Sequence, residues 1–522
     1  MKLETLLVAA QLGFSKGADL TILHTNDVHS RYDQINVKGK DCNAKTEACY
    51  GGLARLKTKI DEYRRNYPNT LLFDAGDQFQ GSMFYTYYRG NASLKAMNHL
   101  GYNVSTLGNH EFDNGPLNTG RIVKHYRFPV VSSNIEIPAE YKDLKQKISK
   151  SYVFKRYQLG VVGYIFQKAQ QEANLEKVRT EDPIQAVQRE IKILNDQGIK
   201  RVIAVSHNGY EDDIKLAKNV KGLSLIVGGH THSYLGPKGS TFREKPSEGD
   251  YPTNVTNLDG KPTYIVQAHE WSYLLGHVDI SFGSDGYIAS IKGQAIKLDS
   301  SVAMDKDTDA LVQKLREPMD KYANEVIGES KVAMEKEACK VGECALGDLV
   351  ADALLESQKA DVVFINSGAI RDSLKAGPVT VGNVLAILPY GTPVTNVQMT
   401  GQNIMELLER VFGKVNEKNE TVGSIQVAGM QVEFNGAVSC GKRLNLVNIL
   451  DRNSKKYLPL KKEKKYAVTT LSYLANGGDR VIVPPIKDFK YLDSESKFVI
   501  DYIRQKKSIT KPQAGRILEK SK

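Results

Sequence analysis

The chain has 522 residues, of which 41% are apolar and 25% charged, the balance of a globular protein with a sizeable core. This length exceeds one ordinary domain and predicts two or three. The formal net charge of +11 is compatible with nucleic acid, an anionic surface or anionic substrates as partners, and equally with a solvated basic surface. No dense basic run is interleaved with aromatic residues, which argues against a nucleic-acid groove.

Residues 1–18 are predicted to be a signal peptide, because Lys2 precedes the mostly apolar stretch 5–14. No apolar run approaches the roughly 20 residues of a membrane span, and the polar C-terminus lacks the hydrophobic tail of a lipid-anchor signal. We therefore expect a secreted protein without a membrane anchor. Glycosylation sequons, which also arise by chance, occur at Asn91, Asn103, Asn254 and Asn419.

Four of the five cysteines form two short pairs, Cys42 with Cys49 and Cys339 with Cys344. Neither pair has CxxC spacing or a neighbouring histidine cluster, so local disulfides fit better than zinc sites. Cys440 is left over, either free and buried or paired between chains.

In chain order, the first 300 residues alternate apolar strands with helices, which predicts an α/β domain whose helices lie outside its sheets. The predicted strands are 19–23, 70–73, 102–105, 202–206 and 224–227. The predicted helices are 52–65, 93–100 and 114–126. Residues 305–323 are charged and helical in period, and are predicted to form a linker helix interrupted by Pro318. From Ile327 onward the α/β rhythm resumes.

Metal-binding residue types concentrate at the ends of apolar strands, in segments 26–29, 76–78, 108–113, 206–208 and 228–232. Because the carboxyl ends of strands converge in α/β folds, these segments are expected to meet. Their Asp, Asn and His side chains suit Zn, Mn or Fe and, with fewer His, Mg or Ca. Seven candidate ligands exceed one tetrahedral site, but they suit two metals that share a carboxylate and activate water against a phosphate.

Five of the ten histidines lie in these segments, and this clustering argues against a structural role for all five. We prefer Asp77 to Asp74 as the shared carboxylate, because Asp77 follows Gly76, where the backbone can approach the metals. A single histidine at a strand end is more often structural, and we assign that role to His24, His99, His125, His269 and His277.

The motifs Asp27-x-His29, Gly76-Asp77, Gly108-Asn109-His110-Glu111 and Gly229-His230-x-His232 resemble the calcineurin-like metallophosphoesterase signature. The longer runs 22–29, 74–78 and 107–113 resemble the 5′-nucleotidase family, which includes animal ecto-5′-nucleotidases and salivary apyrases of blood-feeding arthropods. The resemblance extends from about residue 20 to the end of the chain.

This resemblance implies an α/β fold in two parts. A four-layer metallophosphoesterase domain would occupy 19–303, a linker helix 304–324 and a C-terminal α/β nucleotide-binding domain 325–522. Because the metals belong to the first domain and base recognition to the second, the substrate would lie in the cleft between them, and the linker helix would hold any hinge.

The resemblance also implies the ligands of two divalent metals, Zn, Mn, Mg or Ca, with Asp77 bridging. One metal would be held by Asp27, His29, Asp77 and His232. The other would be held by Asp77, Asn109, His207 and His230. His110 and Asp113 match a catalytic dyad in which the imidazole contacts the transferred phosphate, and Asp113 would favour its protonated form.

The C-terminal half of the resemblance implies the substrate contacts. Asn366 and Arg371 match substrate-binding residues, while Lys340 stands where relatives often carry Arg, which keeps the charge but loses bidentate geometry. Two aromatic residues would sandwich the base and one carboxylate would bind the ribose, and these are Tyr390, Tyr473 and Asp479.

Two activities use these same parts: an apyrase takes ATP and ADP to AMP, and a 5′-nucleotidase takes AMP to adenosine. The missing anchor signal and the net positive charge favour a secreted apyrase, which would oppose platelet aggregation by removing ADP. The alternatives are the 5′-nucleotidase, a phosphoesterase for cyclic nucleotides or nucleotide sugars, and a binding protein without turnover. The sequence specifies neither the native metals, nor the preferred base, nor an oligomeric state.

Overall fold

The computed structural model of the chain describes residues 19–414, 422–439, 441–486 and 489–520. The predicted signal peptide 1–18, Cys440 and the sequon at Asn419 lie outside these residues.

The N-terminal part alternates strands and helices as predicted. Its strands are β1 Leu20–Thr25, β2 Thr70–Asp74, β3 Val104–Ser105, β4 Val130–Val131, β5 Ile135–Glu136, β6 Ile148–Ser149, β7 Ser151–Phe154, β8 Leu159–Ile165, β9 Arg179–Thr180, β10 Arg201–His207, β11 Leu225–Val227, β12 Thr241–Phe242, β13 Lys245–Pro246, β14 Thr253–Thr256, β15 Pro262–Val266, β16 Leu274–Phe282 and β17 Ile288–Lys297. Its helices are α1 Leu53–Asn66, α2 Met83–Tyr88, α3 Asn91–Leu100, α4 Gly115–Val123, α5 Lys142–Lys147, α6 Pro183–Asp196 and α7 Tyr210–Lys218.

Two mixed sheets pack face to face at the centre of this part. One has the order β17-β16-β1-β2-β3-β4-β6 and the other β14-β15-β11-β10-β8-β7. Apolar side chains such as Ile22, Phe73, Val205 and Val227 meet between the sheets.

Amphipathic helices cover the outer face of each sheet and complete the four layers that the resemblance implies. α1, α3 and α4 pack on the first sheet, and α6 and α7 pack on the second. β1 to β4 run parallel in the first sheet, as do β8, β10, β11 and β15 in the second. The loops that follow these strands therefore gather at common edges.

The segment predicted as a linker is the helix α8, Lys306–Ala323. It begins where the Asp305 side chain accepts the N–H of Thr308 at 2.9 Å, an N-cap interaction. The predicted interruption at Pro318 is wrong: the helix continues through this residue. Buried side chains before and after Pro318, including Leu315 and Met319, hold the helix against the core and outweigh the missing backbone hydrogen bond.

α8 is anchored to the N-terminal part by Arg316, whose guanidinium donates to Asp33 at 2.8 Å and to Asp41 at 2.7 Å. α8 also packs against α1 and α2. The domain boundaries 19–303, 304–324 and 325–522 stay predictions from the sequence.

The C-terminal part is a second α/β unit. Its strands are β18 Val326–Ser330, β19 Val362–Asn366, β20 Gly377–Thr380, β21 Val394–Thr400, β22 Ile425–Ala428, β23 Met430–Phe434, β24 Leu444–Leu450, β25 Tyr457–Pro459, β26 Lys465–Leu471, β27 Ser508–Ile509 and β28 Ile517–Glu519. Its helices are α9 Ala345–Gln358, α10 Val381–Ile387, α11 Gly401–Gly413, α12 Ser472–Ala475 and α13 Glu495–Lys506. The central sheet has the order β21-β26-β19-β22, with β19 buried in the middle, and α8 packs against α10 of this unit.

Both predicted disulfides are present, joining Cys42 to Cys49 and Cys339 to Cys344. Among the described residues, no helix combines the length and apolar character needed to cross a bilayer.

Candidate active site

The predicted metal ligands lie at the carboxyl ends of strands from both sheets. On the first sheet they are Asp27 and His29 after β1, Asp77 after β2 and Asn109 after β3. On the second sheet they are His207 at the end of β10, and His230 and His232 after β11. The parallel strands of the two sheets thus bring all seven side chains into one region.

One group of candidate ligands consists of Asp27, His29 and His232, whose ligand atoms lie within 4.8 Å of one another. The Nε2 atoms of the two histidines are 3.2 Å apart. His232 Nε2 also lies 3.3 Å from Asp27 Oδ1. Two imidazole nitrogens and a carboxylate oxygen thus converge on one point, as the ligands of a metal ion do.

A second group consists of Asp27, Asp77 and His207. His207 Nε2 lies 3.2 Å from Asp77 Oδ2 and 3.2 Å from Asn109 Oδ1. The ring of His230 contacts that of His207, with centroids 5.1 Å apart. Asp27 belongs to both groups, and Asp77 Oδ2 also lies 3.7 Å from His29 Nε2 of the first group. Both carboxylates therefore lie near both groups, and the bridging role of Asp77 stays a prediction.

The hydrogen bonds of three histidines favour the tautomer that a metal ligand needs. In each, the Nδ1–H donates to an oxygen, which leaves the Nε2 lone pair free to bind a cation. The acceptors are Phe79 O for His29 at 3.1 Å, Ala75 O for His207 at 2.7 Å and Glu270 Oε2 for His232 at 2.6 Å.

The two carboxylate oxygens of Asp27 have different environments. Oδ2 accepts the backbone N–H of His230 at 2.9 Å and the side-chain amide of Asn26 at 2.7 Å. Oδ1 is buried without a hydrogen-bond partner. A buried carboxylate oxygen left unpaired is costly unless a cation satisfies it. The residues present therefore fit divalent metals.

Backbone strain marks the same loops. Asp27, His29, Asp77, His230 and His232 have φ values of 51°, 49°, 54°, 81° and 53°, in the left-handed region that non-glycine residues rarely adopt. Such strain persists where the surrounding structure fixes it, and it clusters at functional sites.

The predicted dyad stands beside the metal centre. His110 begins the short helical turn His110–Phe112, and its backbone N–H donates to Asp77 Oδ1 at 2.9 Å. Its Nδ1 lies 3.0 Å from Asp113 Oδ2. Burial disfavours the charged imidazole, but the carboxylates of Asp113 and Asp77 outweigh it and raise the pKa of His110 to about 10. These carboxylates therefore favour the protonated ring, which can donate a hydrogen bond to an anion.

A cavity of about 380 Å³ lies between the N-terminal and C-terminal parts, and the dyad forms one end of its lining. The C-terminal part contributes Asn366, Tyr390, Tyr473 and Asp479. The two tyrosines are 45% and 42% exposed, which leaves their rings available to a ligand. The Tyr473 hydroxyl donates to Asp479 Oδ1 at 2.9 Å, so the predicted base-binding and ribose-binding residues are in contact.

The structure does not bring the remaining two predicted substrate contacts into this lining. The Arg371 guanidinium lies beside the cavity, 5.8 Å from the ring centroid of Tyr390. The Lys340 side chain is 69% exposed and pairs with Glu337 at 2.7 Å. The family resemblance located both residues in the chain but did not indicate where their side chains point.

Two residues of the site, Glu270 and Glu111, were not identified from the sequence. Glu270 holds His232, as described above, but lies far from it in sequence and in no ligand motif. Glu111 lies within a motif, and its buried carboxylate accepts four backbone N–H groups of the loops that carry Asp77 and Asn109. Its donors are Asp77 at 2.9 Å, Gln78 at 2.7 Å, Phe79 at 3.1 Å and Gly108 at 2.6 Å.

The four-layer fold, the paired ligand groups at the strand ends and the adjacent dyad together define a metallophosphoesterase. Comparisons with known families agree. Residues 20–234 match the calcineurin-like phosphoesterase family, and residues 326–485 match the family described as 5′-nucleotidase, C-terminal domain.

Individual relatives resemble nearly the whole chain. The 5′-nucleotidase of Homo sapiens is 34% identical over 544 residues, covering 98% of this chain and 93% of that protein. The snake venom 5′-nucleotidase of Gloydius brevicauda is 31% identical over 539 residues, covering 98% and 90%. The crystal structure of a 5′-nucleotidase precursor from Thermus thermophilus is 31% identical, with a TM-score of 0.67, over 96% of this chain and 99% of that one.

The chain belongs to the 5′-nucleotidase family. It is a metal-dependent nucleotide hydrolase, and its N-terminal part carries the dimetal centre of calcineurin-like phosphoesterases.

Proposed function

We propose that this protein is a 5′-nucleotidase, which hydrolyses nucleoside 5′-monophosphates to the nucleoside and inorganic phosphate. The observation that carries this proposal is the charge of the cavity between the dyad and the two tyrosines. Besides His110, the charged residues of its described lining are Asp113, Glu172 and Asp479, with no lysine or arginine among them. Such a lining suits an uncharged nucleoside better than a chain of further phosphates.

The volume of the cavity is sufficient for a nucleoside. At about 380 Å³ it falls near the small end of ligand pockets, which span about 300–1,000 Å³. The predicted apyrase activity rests on the missing anchor signal and on the net charge of the whole chain, whereas the lining of the cavity favours monophosphates. The relatives named above carry the name 5′-nucleotidase, which also supports the proposal.

We assign the substrate contacts as follows. When bound, two divalent cations would lower the pKa of water and polarise the phosphate oxygens. With Nδ1 engaged by Asp113, His110 has its Nε2–H free to donate to the phosphate as negative charge develops there. Tyr390 and Tyr473 stack on the base. Asp479 accepts from the ribose hydroxyls and Asn366 supplies a polar contact beside them. Arg371 acts at the rim of the cavity, beside Tyr390.

The test is phosphate release from AMP, ADP and ATP in parallel, with Zn, Mn, Mg and Ca supplied in turn to the metal-free protein. We expect AMP to give the largest kcat/KM and adenosine to accumulate. Rapid turnover of ADP and ATP with AMP as the end product would instead establish the apyrase.

We also propose that the protein is secreted, a proposal supported by the two disulfides and by the venom relatives. Among the three sequons that the structure describes, Asn254 is best suited to a glycan, because it is exposed on the edge strand β14. Asn103 is less suited, since its side-chain oxygen accepts the N–H of Leu72 at 2.8 Å. Sequencing the N-terminus of protein from the culture medium, and glycosidase treatment of an Asn254→Gln variant, test both points.

A further inference from the structure

Glu172 is a carboxylate of the cleft to which no step of the reaction above assigns a role. It directly follows the helical turn Ala169–Gln171, in the loop after β8, and its side chain is 53% exposed. Its Oε2 lies 3.9 Å from Nε2 of His230, one of the candidate metal ligands. The same residue lines the cavity together with His110 and Tyr473.

This position lies between the two ends of the substrate site. One end is the metal centre with His110, where the reacting phosphate binds. The other end is the pair of tyrosines, where the base binds. Glu172 contacts His230 at the metal centre and also lines the nucleoside cavity. It therefore lies beside the part of the substrate that connects the reacting phosphate to the base.

The charge of Glu172 therefore acts differently on substrates of different length. A 5′-monophosphate places its only phosphate at the metal centre and its uncharged ribose next to the carboxylate. A diphosphate or triphosphate that reacts at its terminal phosphorus must place additional phosphate groups in this same stretch. Like charges separated by a few ångströms in a partly buried cleft repel more strongly than in water.

We propose that Glu172 is a specificity-determining residue, whose carboxylate disfavours nucleoside di- and triphosphates relative to monophosphates. This inference rests on the proposed 5′-nucleotidase activity. Attractive contacts to the base and ribose are the same for AMP, ADP and ATP and do not distinguish them. Repulsion by Glu172 would supply this discrimination.

The experiment compares kcat/KM for AMP and ADP in the wild-type protein, Glu172→Gln and Glu172→Asp, all loaded with the same metal. Glu172→Gln keeps the shape and removes the charge, and Glu172→Asp keeps the charge. We expect Glu172→Gln to raise the ADP-to-AMP ratio of kcat/KM about tenfold, equivalent to about 1.4 kcal/mol. Glu172→Asp should leave this ratio close to the wild-type value.

Glu140→Gln is the matched control, since Glu140 lies in the same part of the chain, is 50% exposed and pairs with Lys177 outside the cavity. It should leave the ratio unchanged. Inhibition of AMP hydrolysis by a non-hydrolysable ADP analogue provides a binding readout, and its inhibition constant should fall in Glu172→Gln by a similar factor.

An unchanged ADP-to-AMP ratio of kcat/KM in Glu172→Gln would overturn the proposal. If this ratio stays constant while AMP turnover is lost, Glu172 contributes to the hydrolysis of both substrates and does not discriminate between them. If the wild-type protein prefers ADP to AMP, the proposed 5′-nucleotidase activity itself fails. If the wild-type protein prefers AMP and the ratio does not respond to Glu172→Gln, only the role of Glu172 fails.

Discussion

Glu270 orients the candidate metal ligand His232, and we expect this contact to strengthen metal binding. Glu270 is buried, and its two oxygens accept from two donors: Oε2 from His232 Nδ1 at 2.6 Å, and Oε1 from Arg243 Nη1 at 2.9 Å. A glutamine at this position has one accepting oxygen and an NH₂ group. Glu270→Gln therefore leaves either the imidazole or the guanidinium facing another donor.

The magnitude follows from the bond that is lost. A hydrogen bond to a charged group contributes about 1.5–3 kcal/mol. If His232 loses this orientation in the metal-bound state, the affinity for the cation it binds falls about 10- to 100-fold, the range typical of partners that orient metal ligands. The other candidate site, around His207, should change much less because its Nδ1–H donates to a backbone carbonyl.

The assay is titration of metal-free protein with Zn²⁺ or Mn²⁺ against a competing chelator of known affinity. The matched control is Glu409→Gln in the C-terminal part, because Glu409 is also a buried carboxylate that accepts several N–H groups, including those of Gly441 and Leu444. We expect weaker binding of one metal equivalent in Glu270→Gln and unchanged binding in the control. Wild-type affinity for both equivalents in a folded Glu270→Gln protein would refute the reasoning.

Four further substitutions probe other parts of the site. Replacing Tyr390 or Tyr473 with Ala should weaken AMP binding by about 1–3 kcal/mol but spare a simple aryl phosphate, and equal losses on both substrates would contradict base stacking. Glu111→Gln should lower the free energy of unfolding by about 1–3 kcal/mol in urea titrations, because one of its oxygens becomes a donor facing backbone N–H groups. Gly108→Ala should reduce kcat for AMP at least tenfold, because the added Cβ would clash with Asp77 Oδ1 and displace a candidate metal ligand. A wild-type kcat in this variant would show that the loop adapts.

The sequence predicts the metal centre well because two independent signals coincide there. Apolar strands identify which segments lie in the interior, and the Asp, Asn and His residues that follow them occupy the strand ends. The parallel arrangement then brings Asp27, Asp77 and His207 together without any information about side-chain rotamers.

Contacts that depend on loops without a repeating pattern could not be predicted in this way. Glu270 and Glu172 lie in connections whose paths are set by tertiary packing, and no motif links either residue to the metal ligands. The same holds for Lys340 and Arg371, since a family resemblance assigns their position in the chain and not the direction of their long side chains. At Pro318 a local signal gave a wrong prediction, because tertiary packing keeps the helix continuous through a helix-breaking residue.

The most direct test of the central claim, metal-dependent hydrolysis of a nucleoside monophosphate, is AMP turnover by metal-free protein reconstituted with increasing metal. Asp77 is the variant to compare, because its Oδ2 lies 3.7 Å from His29 Nε2 and 3.2 Å from His207 Nε2, between the two ligand groups. The account predicts that activity returns only as two metal equivalents bind, and that Asp77→Ala stays folded but inactive at every metal concentration. Wild-type kcat in the metal-free protein or in Asp77→Ala would contradict it.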